Sequence, residues 1–333
     1  MIHSLLRLWA RCRLFLIFLL LPVSVLLAPP ALARSNDADF IPFPVQAGCS
    51  GGNRHCDAEW LGPFGDHSYR AAPQFGPAVS LGNGKIRSYV TVKYPGRPVE
   101  IGVLFSGAAL TGLPDMSQPP SDGLWDVIDE NGNVVWYCCG YEHVLELPQA
   151  AALTPFKHVV VNWNNHGHPP PAIYDRPHFD FHFYTISNAT RTSIAAPAAE
   201  DMCGPQTPLS CEDADTALTP LPDEQMPPDY FSPGAVEPGM GNHMLDSTAV
   251  ELAGEPFSQT WIYGTWDGAI SFFEPMITLE YLQALSGEQC FDLKMPAYFD
   301  MAGYYPTRYC TYYHELFDVY RVELNRFRWF QGW

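Results

Sequence analysis

Between Arg176 and Ile186 the chain reads RPHFDFHFYTI, in which His178, Asp180 and His182 alternate with Phe179, Phe181 and Phe183. A period of two marks a β-strand, because successive side chains point to opposite faces. The pattern places three phenylalanines on one face and two imidazoles with a carboxylate on the other. That polar face is either wet or buried around something its side chains bind. Short runs that alternate, or that are rich in β-branched and aromatic residues, recur as KIRSYVTVKY, PVEIGVLFS, NVVWYCCGYEHVLEL, HVVVNWN, QTWIYGTW, AISFFEPMITLEYL and DVYRVELNRFRWF, separated by turn residues. Long helical periodicities are scarce. The expected fold is mainly β: a single β-sandwich or barrel-like domain with long loops and few short helices. Asp129 to Gly132 reads as a hairpin turn, and LGNGKI at 81–86 reads as another rather than as a phosphate loop. In ITLEYLQALSG, Leu279, Leu282 and Leu285 with Gly287 as a C-cap set a short helix against a strand.

The N-terminus departs from this pattern. Arg7, Arg11 and Arg13 precede the apolar run LFLIFLLLPVSVLL, and Ala31-Leu32-Ala33 is a small-x-small cleavage site, so residues 1–33 read as a secretory signal peptide. Residues 34–80 form a Cys/Gly/Pro-rich extension. The β-rich domain is expected over 81–333, including a long acidic loop at 197–238 that is either a stapled surface loop or the rim of a site. The expected location is exported, periplasmic or secreted, with no membrane span after the signal is removed.

Charge narrows the partners. The formal net charge is -18, and the leader holds three of the 18 basic residues and none of the 36 acidic ones, which leaves about -21 on the remainder. So negative a chain repels nucleic acid and anionic membranes. With Cys12 in the leader, Cys49, Cys56, Cys138, Cys139, Cys203, Cys211, Cys290 and Cys310 remain, and an exported chain favours disulfides over thiols. Cys49 with Cys56, Cys203 with Cys211, and Cys290 with Cys310 are the expected pairs. Cys138 and Cys139, as strand neighbours, are expected to point apart and to take different partners or stay free.

Candidate chemistry gathers around the alternating strand. At about 3.3 Å per residue, side chains two apart lie about 6.6 Å apart, whereas His178 and His182 are about 13 Å apart. A regular strand thus offers one ion His178 with Asp180, or Asp180 with His182, but not all three. NNHGHPPPAIYD adds His168, EPGMGNHMLD adds His243, and Glu274 is a charge amid apolar residues. His168, His178, Asp180, His182, His243 and Glu274 are nitrogen and oxygen donors from separate segments, the ligand type of zinc, manganese or iron. The competing reading is a buried hydrogen-bond network in which Asp180 holds the histidine tautomers. A metal-free catalytic pair is a third, weakened by the absence of a GxSxG elbow.

The words GHPPPAIYDRPHFDFHFY, EPGMGNHMLD, YGTWDGAISFFEPMITLEYL and AGYYPTRY resemble a family of largely uncharacterised bacterial secreted proteins, a domain of unknown function with members in Thermus. The resemblance covers roughly Leu81 to Leu324. It implies a β-rich exported domain that assembles into homo-oligomers, with polar positions at His168, His178, Asp180, His182 and His243. His166 departs from the usual pattern. The family brings no established activity, so whether the chain is an enzyme, and on what substrate, stays open.

Two functions follow from these residues. One is an exported metalloprotein with a divalent ion on the His/carboxylate set, and an open coordination position if it is an enzyme. The other is a non-catalytic envelope protein acting through self-assembly or partner binding, its histidines structural. Tyr174, Tyr184 and Trp163 either wall the site or pack the core.

Overall fold

The computed structural model describes residues 73–93, 96–115 and 125–333. The expected signal peptide, the extension up to residue 72 and the expected Cys49 with Cys56 pair lie outside the described residues.

Two antiparallel sheets carry the fold. The six-stranded sheet runs, in spatial order, Gln74–Leu81, Gly84–Lys93, Arg97–Ser106, Val319–Asn325, Arg308–His314 and Gly287–Asp292. The eight-stranded sheet runs Val236–Glu237, Gly241–Asp246, Gln259–Trp266, Ala269–Thr278, His178–Tyr184, His158–Asn164 and Tyr141–Glu146, with Tyr230–Phe231 also pairing Gly241–Asp246. The architecture is therefore a β-sandwich of two open sheets rather than a barrel. Among the described residues the first strand is Gln74–Leu81.

The alternation in His178–Tyr184 explains how the sheets meet. This strand lies between two others, and all seven of its residues are buried. Phe179, Phe181 and Phe183 join Val159, Val161 and Phe273 of the same sheet and Val90, Ile101, Val103 and Phe105 of the other in one core. Phe105 and Phe181 stack across the sandwich, with ring centroids 6.2 Å apart. Trp163 belongs to this core, whereas Tyr174 and Tyr184 sit in a second cluster that also holds Val160, Ile262, Phe272 and Met276. Packing is thus the role of all three.

The acidic stretch is more ordered than a loop. Helix Cys211–Ala217 starts at Ser210, whose hydroxyl accepts from the Asp213 backbone N–H. Ala214 and Ala217 of that helix, with Ile194, Leu209 and Val236, form a small core. Cys203 is bonded to Cys211, and Cys290 to Cys310, its direct partner across two strands. Cys138 and Cys139, by contrast, are bonded to each other. The expectation that they point apart assumed a regular strand, but they lie between Val134–Trp136 and Tyr141–Glu146, and Cys139 takes φ 83°. Leu279–Ala284 is a helix, as one of the two readings had it. Gly287 does not cap it: the helix ends into Leu285, and Gly287 opens the next strand.

A polar network is buried on the six-stranded sheet. Tyr89 donates to Glu323 at 2.6 Å, Thr91 donates to Glu100 at 2.8 Å, and Arg321 pairs with Glu323 at 2.9 Å. Burial, followed by the neighbouring Glu323 charge, pushes the Glu100 carboxyl up to about 8. A carboxyl whose folded pKa is raised binds its proton more tightly when folded, so its contribution is complete in acid and is lost as pH rises through that value. Glu100→Gln, which resembles the protonated acid, is expected to leave urea stability at pH 4 within about 0.5 kcal/mol and to raise it by up to about 5 kcal/mol at pH 9, at about 1.4 kcal/mol per pKa unit. Equal urea midpoints for variant and parent at pH 9 would contradict the assignment.

Candidate metal centre

The other half of the alternating strand, His178, Asp180 and His182, faces away from the main core and is as deeply buried as the phenylalanines. Register decides what each one meets. His178 lies opposite Asn164, and the Asn164 amide donates to Asp180 Oδ2 at 2.7 Å. His178 Nε2 is 3.1 Å from Asp180 Oδ1. His168 arrives from the turn beyond Asn164 and brings its Nε2 to 3.6 Å from Asp180 Oδ2. Gly167, at φ 72°, makes that turn possible, since a Cβ there would strike the Tyr174 carbonyl.

The second half of the site comes from across the sheet. Phe272 pairs with Tyr184 and Met276 with Asp180, so Glu274, midway between them, falls beside His182. His182 Nε2 and Glu274 Oε1 are 3.3 Å apart. His243 is opposite Gly264, which is opposite Phe272. A Cβ at Gly264 would collide with the Phe272 ring, and without one that ring packs 5.3 Å from His243 and 5.0 Å from His182.

All six expected residues therefore share one face, but they do not converge on one point. His168, His178 and Asp180 form one group that could hold a metal ion, and His182, His243 and Glu274 form another, the ligand atoms of each lying within 4.8 Å of one another. Strand spacing keeps His178 and His182 apart, and the structure places the split between Asp180 and His182. His166 is exposed and belongs to neither group. A third group, Glu288 with Cys290 and Cys310, has both sulfurs committed to a disulfide.

Both groups open into a pocket of about 270 Å³. Asp180, His182, His243, Glu274 and His168 contribute to its polar side, and Val135, Trp136, Tyr137, Pro169, Met240 and the Cys138–Cys139 pair to the apolar side. Glu237, at the end of the acidic stretch, also lines it and accepts from the Trp136 indole N–H at 3.2 Å. The acidic stretch thus supplies a rim residue as well as a stapled segment. Glu237, Trp136 and the cysteine pair were missed as pocket residues, because nothing in their local spacing marks them.

Second partners set the tautomers. The Nδ1 atoms of His178, His168 and His243 lie 2.6, 2.8 and 3.3 Å from the carbonyl oxygens of Arg176, Pro169 and Ala235. A carbonyl can only accept, so each Nδ1 donates, and Nε2 is left as the atom that binds an ion in the neutral form of each ring. His178 Nε2, Asp180 Oδ1, Glu274 Oε2 and both ring nitrogens of His182 have no hydrogen-bond partner. Burial pushes His182 down to about 3, and burial with the His168 charge pushes His243 down to about 4. Both rings are therefore neutral at pH 7. Burial, then the Asp180 charge, pushes Glu274 well above the usual carboxylate range. Burial would also raise Asp180, but His178 and His168 outweigh it and hold that carboxyl well below its ordinary value.

Fold and pocket define the class: a two-sheet β-sandwich with paired His/carboxylate groups able to hold metal ions on the outer face of one sheet. Compared with protein families, curated proteins and solved structures, the chain matches none.

Proposed function

We propose that the chain is an exported metalloprotein that binds divalent zinc, manganese or iron in these two groups and uses the bound ion to activate water against an uncharged substrate. One observation carries the metal reading. Three histidines, His168, His178 and His243, donate Nδ1–H to backbone carbonyls, which leaves Nε2 as the ligand atom and is the outer-shell arrangement of metal-ligating histidines; His168 and His243 line the pocket, and His178 lies behind Asp180. His178 Nε2 lies 3.1 Å from Asp180 Oδ1 with neither atom in a hydrogen bond, a pair that a shared cation would satisfy. Each group supplies three protein ligands, which leaves a coordination position for water or substrate. Ligands at about 2.1 Å from a shared ion lie at most about 4.2 Å apart, so small side-chain rotations close either group on an ion.

The pocket lining favours the substrate charge. Asp180, Glu237 and Glu274 line it, and no lysine or arginine does among the described residues. An anionic substrate would meet three carboxyl groups, whereas an ester or amide meets an ion and an apolar wall. Export is supported by the three disulfides among the described residues, by the leader-like N-terminus and by the resemblance to bacterial secreted proteins. No helix among the described residues is long and apolar enough to cross a membrane.

The test is metal content followed by turnover. Protein purified from metal-replete medium is expected to carry at least one equivalent of a transition metal, His178→Ala to lose that share by about tenfold or more, and p-nitrophenyl acetate hydrolysis to stop on chelation while p-nitrophenyl phosphate is never cleaved. Metal-free protein that ignores both chelator and added zinc would replace this reading with a structural histidine network. Bound metal without esterase activity would retain the site and remove the enzyme.

A further inference from the structure

Cys138 and Cys139 lie in the wall of the same pocket, joined to one another, and neither triad uses them. Their position is held from three sides. The buried Asn162 amide donates to the Cys139 carbonyl, and Gly140, at φ 61°, presses against the Trp163 carbonyl where a Cβ would not fit. Cys139 itself takes φ 83°, a left-handed conformation uncommon for a residue with a side chain. On the third side, the sulfur atoms lie 3.6 and 3.7 Å from the Pro238 carbonyl oxygen. Pro238 sits between Glu237 and Gly239, two residues before Met240, and Glu237 and Met240 line the pocket.

That carbonyl matters because a disulfide has no proton to give it, whereas a thiol does. At these distances Pro238 is a ready acceptor for an S–H from either cysteine. The loop therefore suits a dithiol as well as a disulfide. Two adjacent thiolates in the wall of this pocket make a softer donor pair than either triad offers, of the kind that selects thiophilic ions.

We propose that Cys138 and Cys139 form a second, redox-dependent metal site in the pocket wall, which takes a thiophilic cation such as Cu(I), Zn(II) or Cd(II) when reduced and is closed to it when oxidised. The reductant is an envelope dithiol. Its thiolate attacks one protein sulfur, which breaks the Cys138–Cys139 bond and frees the other as a thiolate, and its second thiolate then attacks the mixed disulfide and releases the first protein sulfur. The reductant leaves as a disulfide, and two electrons and two protons reach the cysteine pair. Ion binding displaces both thiol protons to solvent. The inference goes beyond the proposed function and needs no ion in either triad.

The experiment titrates Cd(II) into full-length protein after anaerobic reduction and removal of the reductant, alongside the oxidised protein and the reduced Cys138→Ser/Cys139→Ser double variant. The double variant keeps every other cysteine, so it subtracts their contribution. The expected result is one extra Cd(II) per chain, with a thiolate-to-cadmium charge-transfer absorption, in reduced parent alone. His182→Ala is expected to keep that band, which separates this site from the triads. Thermal unfolding of the oxidised double variant checks that it folds. Equal Cd(II) uptake and absorption in reduced parent and reduced double variant would overturn the proposal, as would alkylation mapping in which Cys138 and Cys139 resist reduction after the other disulfides have opened.

Discussion

Phe181→Ala is expected to lower unfolding free energy by about 3–5 kcal/mol, the cost of lost burial plus the residual cavity for a fully buried phenylalanine. The side chain is 1% exposed, at the centre of the core that joins the sheets. Its ring stacks on Phe105 of the opposite sheet at 6.2 Å and meets Phe179 of its own strand at 6.0 Å. Neighbours held on two rigid sheets cannot easily collapse into the space, so the cavity contribution should be retained. Urea unfolding of the mature protein with its disulfides intact measures the difference. A loss under about 1 kcal/mol would mean that the sheets repack freely, contrary to a core of this density.

His182→Ala tests the opposite face of the same strand. If an ion is shared by His182, His243 and Glu274, the substitution is expected to abolish or sharply weaken its binding, and neither adding nor removing metal should restore the lost stability. The parent should then lose a comparable amount on chelation, since an ion at a hundred times its dissociation constant contributes about 2.7 kcal/mol to folding. Proton release on binding is a second readout. Burial and the Asp180 charge raise Glu274 well above the usual carboxylate range, and a cation beside it would favour its ionised form and release any proton it holds. If the groups form only a hydrogen-bond network, His182→Ala should cost about 1–3 kcal/mol through stranded buried partners, and the chelator should leave the parent unchanged. Thermal unfolding of both proteins with and without chelator, together with metal content, separates the outcomes.

The alternation in HFDFHFY was enough to read a strand, to assign its phenylalanines to the core and to collect the polar positions His178, Asp180 and His182 on one face. Strand spacing also ruled out a single ion shared by all three. Compartment and short separation sufficed for Cys203 with Cys211. These features depend on period, compartment or local distance, which a linear chain displays directly.

The partition into two triads was set elsewhere. Glu274 reaches His182 because its strand pairs with His178–Tyr184 in one register, and a one-residue slip would turn it to the other face. His243 approaches from two strands away, past a glycine whose missing side chain makes room for Phe272. The Cys138–Cys139 bond arose because those residues leave the strand geometry that would have pointed them apart. Period and composition determined the fold class, the buried strand and the stock of ligands. Only the tertiary structure decided which ligands meet, because pairing between distant strands is settled by register and packing over the whole sandwich, neither of which leaves a pattern along the chain.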